Sequence, residues 1–147
     1  MTTEFERDLE YARAEMGTAR QELLAVVDAL SDDDLDRERR GGWPVRKVLE
    51  HVIQSAWLYS RLLSHLREEP VQDDIVSGAL ASAADAVDRL GAARAALLKA
   101  LEGVDEESFY RLRTVGHEEY SVLSLLENVA LHDREHEAQV RAILGTG

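Results

Sequence analysis

The sequence predicts an all-α protein, a four-helix bundle with a short extra helical turn in its connections, formed as one domain over residues 1–147. Three observations carry this reading. Apolar residues recur every three or four positions in four long stretches, the period of helices that each bury one face. Glycine, proline, serine and aspartate punctuate the gaps between those stretches. No stretch alternates apolar and polar residues over a useful length, so strands are not expected.

The first helix is predicted over residues 4–30. Its apolar positions Phe5, Leu9, Ala12, Met16, Ala19, Leu23, Val26 and Leu30 step by 4, 3, 4, 3, 4, 3 and 4, the narrow stripe of a helix lying nearly parallel to its neighbours. Ser31 before Asp32, Asp33 and Asp34 reads as the cap of a short turn, and Gly41 and Gly42 close the connector. Pro44 opens the second helix, predicted over residues 44–68, because the first helical position has no use for the N–H that proline lacks. Val45, Val48, Leu49, Val52, Ile53, Ala56, Leu62, Leu63 and Leu66 give that helix a broad apolar face. The third helix is predicted over residues 73–102, with Val76, Leu80, Ala83, Val87, Leu90, Leu97 and Leu101 buried and Gly103 as its end. Residues 105–110 add one turn, and a loop through Thr114 and Gly116 leads to Ser121, the expected cap of a fourth helix over residues 121–144 that stops at Gly145.

Composition excludes several classes of function. A chain of 147 residues buries roughly two-thirds of its unfolded surface, so it needs no disulfide or structural metal to hold together. The absence of cysteine rules out a zinc ribbon, an iron–sulfur cluster and a cysteine nucleophile, which leaves metal chemistry to histidine and carboxylates. The net charge of −12 argues against nucleic acid as a partner, since such binding draws on clustered Lys and Arg. The one basic group, Arg37, Arg39 and Arg40, is set among Asp32, Asp33, Asp34, Asp36 and Glu38. The longest stretches free of charged residues are ten residues, against the ~20 that cross a bilayer, so no membrane segment is expected. The amino-terminal residues have neither a basic leader nor an apolar core, and the expected location is the cytoplasm.

The residues that could do chemistry are histidines. His132 and His136 lie four apart on the fourth helix, about 40° apart around its axis, so both imidazoles can reach one ion. They also fall on the stripe of Val122, Leu125, Val129, Val140 and Ile143, and inward rings without partners cost roughly 1 to 3 kcal/mol each. A pair at this spacing also arises by chance among charged helix residues. His51, which can face the bundle beside Val48, Ser55 and Leu62, adds a third donor, and three histidines with open positions suit a catalytic or substrate-binding metal. His65 lies roughly 21 Å further along the second helix, too far to share the ion. His117 reads as a solvated loop residue. Asp133 and Glu135 could partner the histidines but read more readily as ion-paired surface carboxylates, whereas Ser55, Asn128 and Gln139 are candidates to line a cavity at the histidines. The spelling His132-x-x-Glu135-His136 also matches an inverted zincin motif, but only eleven residues follow His136 and no downstream carboxylate is placed to complete it.

Gly42-Trp43-Pro44-Val45-Arg46-Lys47-Val48-Leu49-Glu50-His51, Ser121-Val122-Leu123-Ser124-Leu125-Leu126 and His132-x-x-x-His136-x-x-Gln139 together resemble the DinB/YfiT-like superfamily. The resemblance covers nearly the whole chain and keeps the family's order: an amphipathic first helix, a tryptophan before helix two, one histidine in helix two and a paired histidine motif in the last helix. Pro44 departs from the Ser or Thr usual after the tryptophan, which touches a helix cap and not the metal set. The resemblance implies a four-helix bundle in which His51, His132 and His136 bind a divalent ion such as zinc or nickel. It also implies, from family members of known activity, an S-transferase that joins a small-molecule thiol, mycothiol or bacillithiol, to an electrophilic substrate. A metal-dependent hydrolase and a non-catalytic metal- or ligand-binding bundle stay open, no single residue is singled out as catalytic, and monomer and homodimer are both open.

Overall fold

In the computed structural model, residues 1–71 and 78–145 are described. Helix α1 spans Glu4–Asp28, α2 Val45–Leu66, α3 Ala83–Leu101, α4 Glu106–Tyr110 and α5 Val122–Leu144, with a 3₁₀ turn over Asp33–Asp36. The four long helices form a ring in which α1 packs on α5, α5 on α2, α2 on α3 and α3 on α1. The predicted extra turn is α4, pinned to α1 by the Tyr110 hydroxyl donating to Asp8 at 2.6 Å and by Phe109 packing edge-on against Phe5. Among the described residues no helix is long and apolar enough to cross a membrane.

Local chemistry sets the ends. Ser31 and Asp34 bond reciprocally, the Ser31 Oγ accepting the Asp34 N–H at 3.2 Å while Asp34 accepts the Ser31 N–H at 2.9 Å. Ser121 caps α5 in a reciprocal box with Ser124, both bonds being 3.0 Å. Gly145 ends α5 in the left-handed conformation at φ 76°, which only glycine adopts without strain. Substituting Ser121→Ala is expected to cost about 1 kcal/mol, read as a lower urea midpoint at unchanged slope. An unchanged midpoint would show that the cap contributes nothing.

Three expectations change. Pro44 stands at the N-cap, one residue before the helix proper, in extended conformation at φ −69° and ψ 159°. A cap position has no more need of an N–H than the first helical position. The third helix starts at Ala83, after Ser82 caps it by accepting the Asp85 N–H at 3.0 Å. The expected start at Asp73, and Val76 with it, lie outside the described residues, while Leu80 is buried just ahead of the helix. The loop before α5 contains an antiparallel hairpin, β1 Arg113–Val115 and β2 Glu118–Tyr120, with Val115 opposite Glu118. Strands of three residues are too short for a period of two to show, and Gly116 at φ 66° is the one local signal of the tight turn.

The core consists of two apolar clusters. One gathers Leu23, Val27, Leu49, Val52, Leu90 and Val140, and the other Met16, Leu63, Leu97, Phe109, Leu125 and Leu126. Between them, in step with the apolar stripes, lie Arg20 on α1, Arg94 on α3 and Asp133 on α5. His132 borders this polar layer.

Candidate metal centre

Helix α2 carries His51 near its amino end, and α5 brings His132 and His136 to it from the opposite side of their shared interface. The ring centroids are 5.4 Å apart for His51 and His132, 4.9 Å for His51 and His136, and 4.3 Å for His132 and His136. One ring nitrogen from each residue lies within 4.8 Å of the other two, so the group could hold a metal ion. All three side chains are half-buried. Trp43 packs edge-on against His51 at 5.6 Å, and Tyr59 packs edge-on against His132 at 5.7 Å.

Hydrogen bonding orients the donors. The Gln139 Oε1 can only accept, so His136 donates its Nδ1–H to it at 2.7 Å and keeps a free lone pair on Nε2. That Nε2 faces the Nε2 of His132 at 3.0 Å. Two ring nitrogens directed at one point, with the outer nitrogen of one tied off, form a donor set suited to a divalent cation.

Burial and neighbouring rings favour the neutral forms of His132 and His51. Burial, then the neighbouring His136 and His51, push His132 down to about 4 from the ordinary 6.5, against an opposing pull from Asp133. Burial and His136 also lower His51. Burial, Glu135 and Asp133 raise Tyr59, which keeps its hydroxyl protonated.

Behind His132 sits a buried ionic knot that the sequence reading placed at the surface. Asp133 is fully enclosed and accepts from Arg20 through Nε at 3.0 Å and Nη2 at 3.4 Å, and from Arg94 Nη2 at 2.9 Å. Each guanidinium also donates to a main-chain carbonyl, Arg20 to Leu90 at 3.0 Å and Arg94 to Met16 at 3.3 Å. Burial and the nearby Arg20 push Arg94 down to about 10, partly offset by Asp133. A cavity of about 10 Å³, roughly one water in size, is lined by Tyr59, His132, Asp133, Arg20 and Arg94 and joins the knot to His132. A signal was present: Arg20 lies four after Met16 and three before Leu23, and Asp133 lies three after Ala130, so both are in register with buried stripes.

The other candidates are dispersed. Ser55 is half-buried one turn after His51, and no hydrogen bond joins it to the rings. Asn128 is exposed, because four residues before His132 turns it a further ~40° away from the face that α5 buries. Gln139 contacts the centre as the hydrogen-bond partner of His136. His65, His117 and Glu135 are exposed.

The comparisons agree with this architecture. A solved four-helix bundle protein, TT2238, superposes with a TM-score of 0.69 over 90% of this chain and 98% of its own at 23% identity, a likeness of fold. No curated protein matches the chain. A profile of the DinB superfamily matches residues 15–140, the span from the middle of α1 to beyond the paired histidines of α5. With its bundle and three converging histidines, the chain belongs to the DinB superfamily.

Proposed function

We propose that this chain acts in the cytoplasm as a metal-dependent S-transferase that joins a low-molecular-weight thiol to a small electrophile. Zinc or nickel would be held by His51, His132 and His136. The observation that carries the reading is the donor set, three imidazoles with no carboxylate among them. Bound by neutral ligands only, a divalent ion keeps its positive charge and supplies stabilisation of a thiolate at neutral pH.

The chain's own residues do the rest. Burial holds His132 and His51 unprotonated, so their lone pairs stay available. Gln139 fixes the tautomer of His136, and the edges of Trp43 and Tyr59 hold the outer rings in place. In the overall reaction a carbon–sulfur bond forms, the electrophile's leaving group departs with its electron pair, and the thiol proton passes to solvent. Lowering a thiol pKa from about 8.5 towards neutrality raises the thiolate fraction more than tenfold, so no dedicated general base is required. The preponderance of Arg over Lys, 15 to 2, fits a high-G+C coding sequence and favours mycothiol over bacillithiol.

Conjugation of monobromobimane to mycothiol by the zinc-loaded protein tests the reading. The rate is expected to exceed that of zinc in buffer by at least about a hundredfold, an increment of ~3 kcal/mol in barrier, and to vanish in His51→Ala. Cleavage of an ester with no thiol consumed would replace this reading with a hydrolase. Activity towards neither would favour a binding bundle without turnover.

A further inference from the structure

A cleft of about 330 Å³ opens beside His51, walled by Trp43, Lys47, Glu50, His51, Gln54 and Arg89. Its strongest cation and its carboxylate are already committed. The Arg89 guanidinium donates to Asp85 at 3.1 Å, to the Gly78 carbonyl at 3.1 Å and to the Ala79 carbonyl at 3.5 Å. Glu50 accepts the Leu80 N–H at 2.8 Å. Lys47 differs: its ammonium lies 4.7 Å over the Trp43 ring and, among the described residues, meets no carboxylate. Trp43 keeps 41% of its surface exposed, an unusual amount for an indole at the mouth of a cleft.

Spacing links these groups to the histidines. Lys47, His51 and Gln54 stand at i, i+4 and i+7 on α2, one row that runs from a cation through an imidazole to an amide. Lys47 is ~6 Å from His51 along the helix axis, so an anion at Lys47 and a reacting atom at His51 would be one helical turn apart. The ring of Trp43 touches both residues and offers a flat apolar wall between them.

We infer that this cleft binds a small organic monocarboxylate, with Lys47 as the partner of the carboxylate and Trp43 as the wall for its body. Glu50 faces the same space and selects against a second negative charge on the ligand. Taking the far end of that ligand as the reacting end rests on the proposed function; the binding itself does not.

The test uses full-length protein freed of metal with a chelator, because a carboxylate would otherwise be able to sit on an ion at the histidines. Phenylacetate and its uncharged counterpart phenylacetamide are titrated by calorimetry. Phenylacetate is expected to bind with a dissociation constant at least about tenfold below that of the amide, the worth of one charge-assisted hydrogen bond. Lys47→Met is expected to remove that preference. Absence of saturable binding, equal affinity for the two compounds, or a preference that survives Lys47→Met would overturn the inference. Zinc stoichiometry of the wild-type protein, measured separately, reports on the histidines alone, so the two readings fail by different results.

Discussion

His132→Ala is expected to abolish stoichiometric binding of a divalent ion. The wild-type chain should take up one zinc per molecule, and the variant should show an affinity lower by more than ~100-fold, since even loss of an outer-shell partner costs 10- to 100-fold. His132 has the largest leverage because its Nε2 directly faces that of His136 at 3.0 Å, while His51 reaches the pair from another helix. Calorimetry and metal analysis check the expectation, and unchanged zinc content would remove His132 from the centre. The same ring sets a pH dependence. Its pKa is about 4 in the folded chain and 6.5 when unfolded, so between those values the unfolded state binds more protons. This contribution to stability is present above 6.5 and lost as pH falls towards 4. Metal-free protein should therefore melt at a lower temperature at pH 5 than at pH 7, with the difference reduced in His132→Ala.

Asp133→Ala is expected to be the most destabilising single substitution in the bundle. It leaves Arg20 and Arg94 buried and facing one another without their shared carboxylate. Breaking a buried ion pair by removing one partner costs about 3–5 kcal/mol, which in a chain of this size lowers the melting temperature by roughly 10 °C. Urea unfolding measures it, and a loss below ~1 kcal/mol would mean that the knot is hydrated and replaceable. Replacing Arg20, Arg94 and Asp133 together by apolar residues of similar volume should recover much of the loss, because the desolvation of the charges is removed with their attraction. One carboxylate meets guanidinium groups from α1 and α3, which ties α5 to both helices at the residue next to His132.

Much of this was written locally. The stripes of three and four that end at Leu30, Leu66, Leu101 and Ile143 specify four helices, because burial of one face needs no information beyond the face itself. Ser121 and Gly145 mark the ends of α5, since caps act over three or four residues. The pairing of His132 with His136 is likewise a property of one helix. Other features depend on neighbours far along the chain. The three-residue strands around Gly116 have too few positions to carry a period, and the start of α3 at Ala83 is held from outside by Asp32, which accepts the Ala83 N–H at 3.0 Å. Asp133 has Arg134 and Glu137 beside it in sequence and reads as a surface charge, yet its partners are 113 and 39 residues away. Periodicity shows which face of a helix turns inward but not the height at which helices meet. The tertiary structure alone therefore decided that Arg20, Arg94 and Asp133 share one buried layer next to His132, whereas the grouping of His51 with the histidines of α5 is already expected from the sequence.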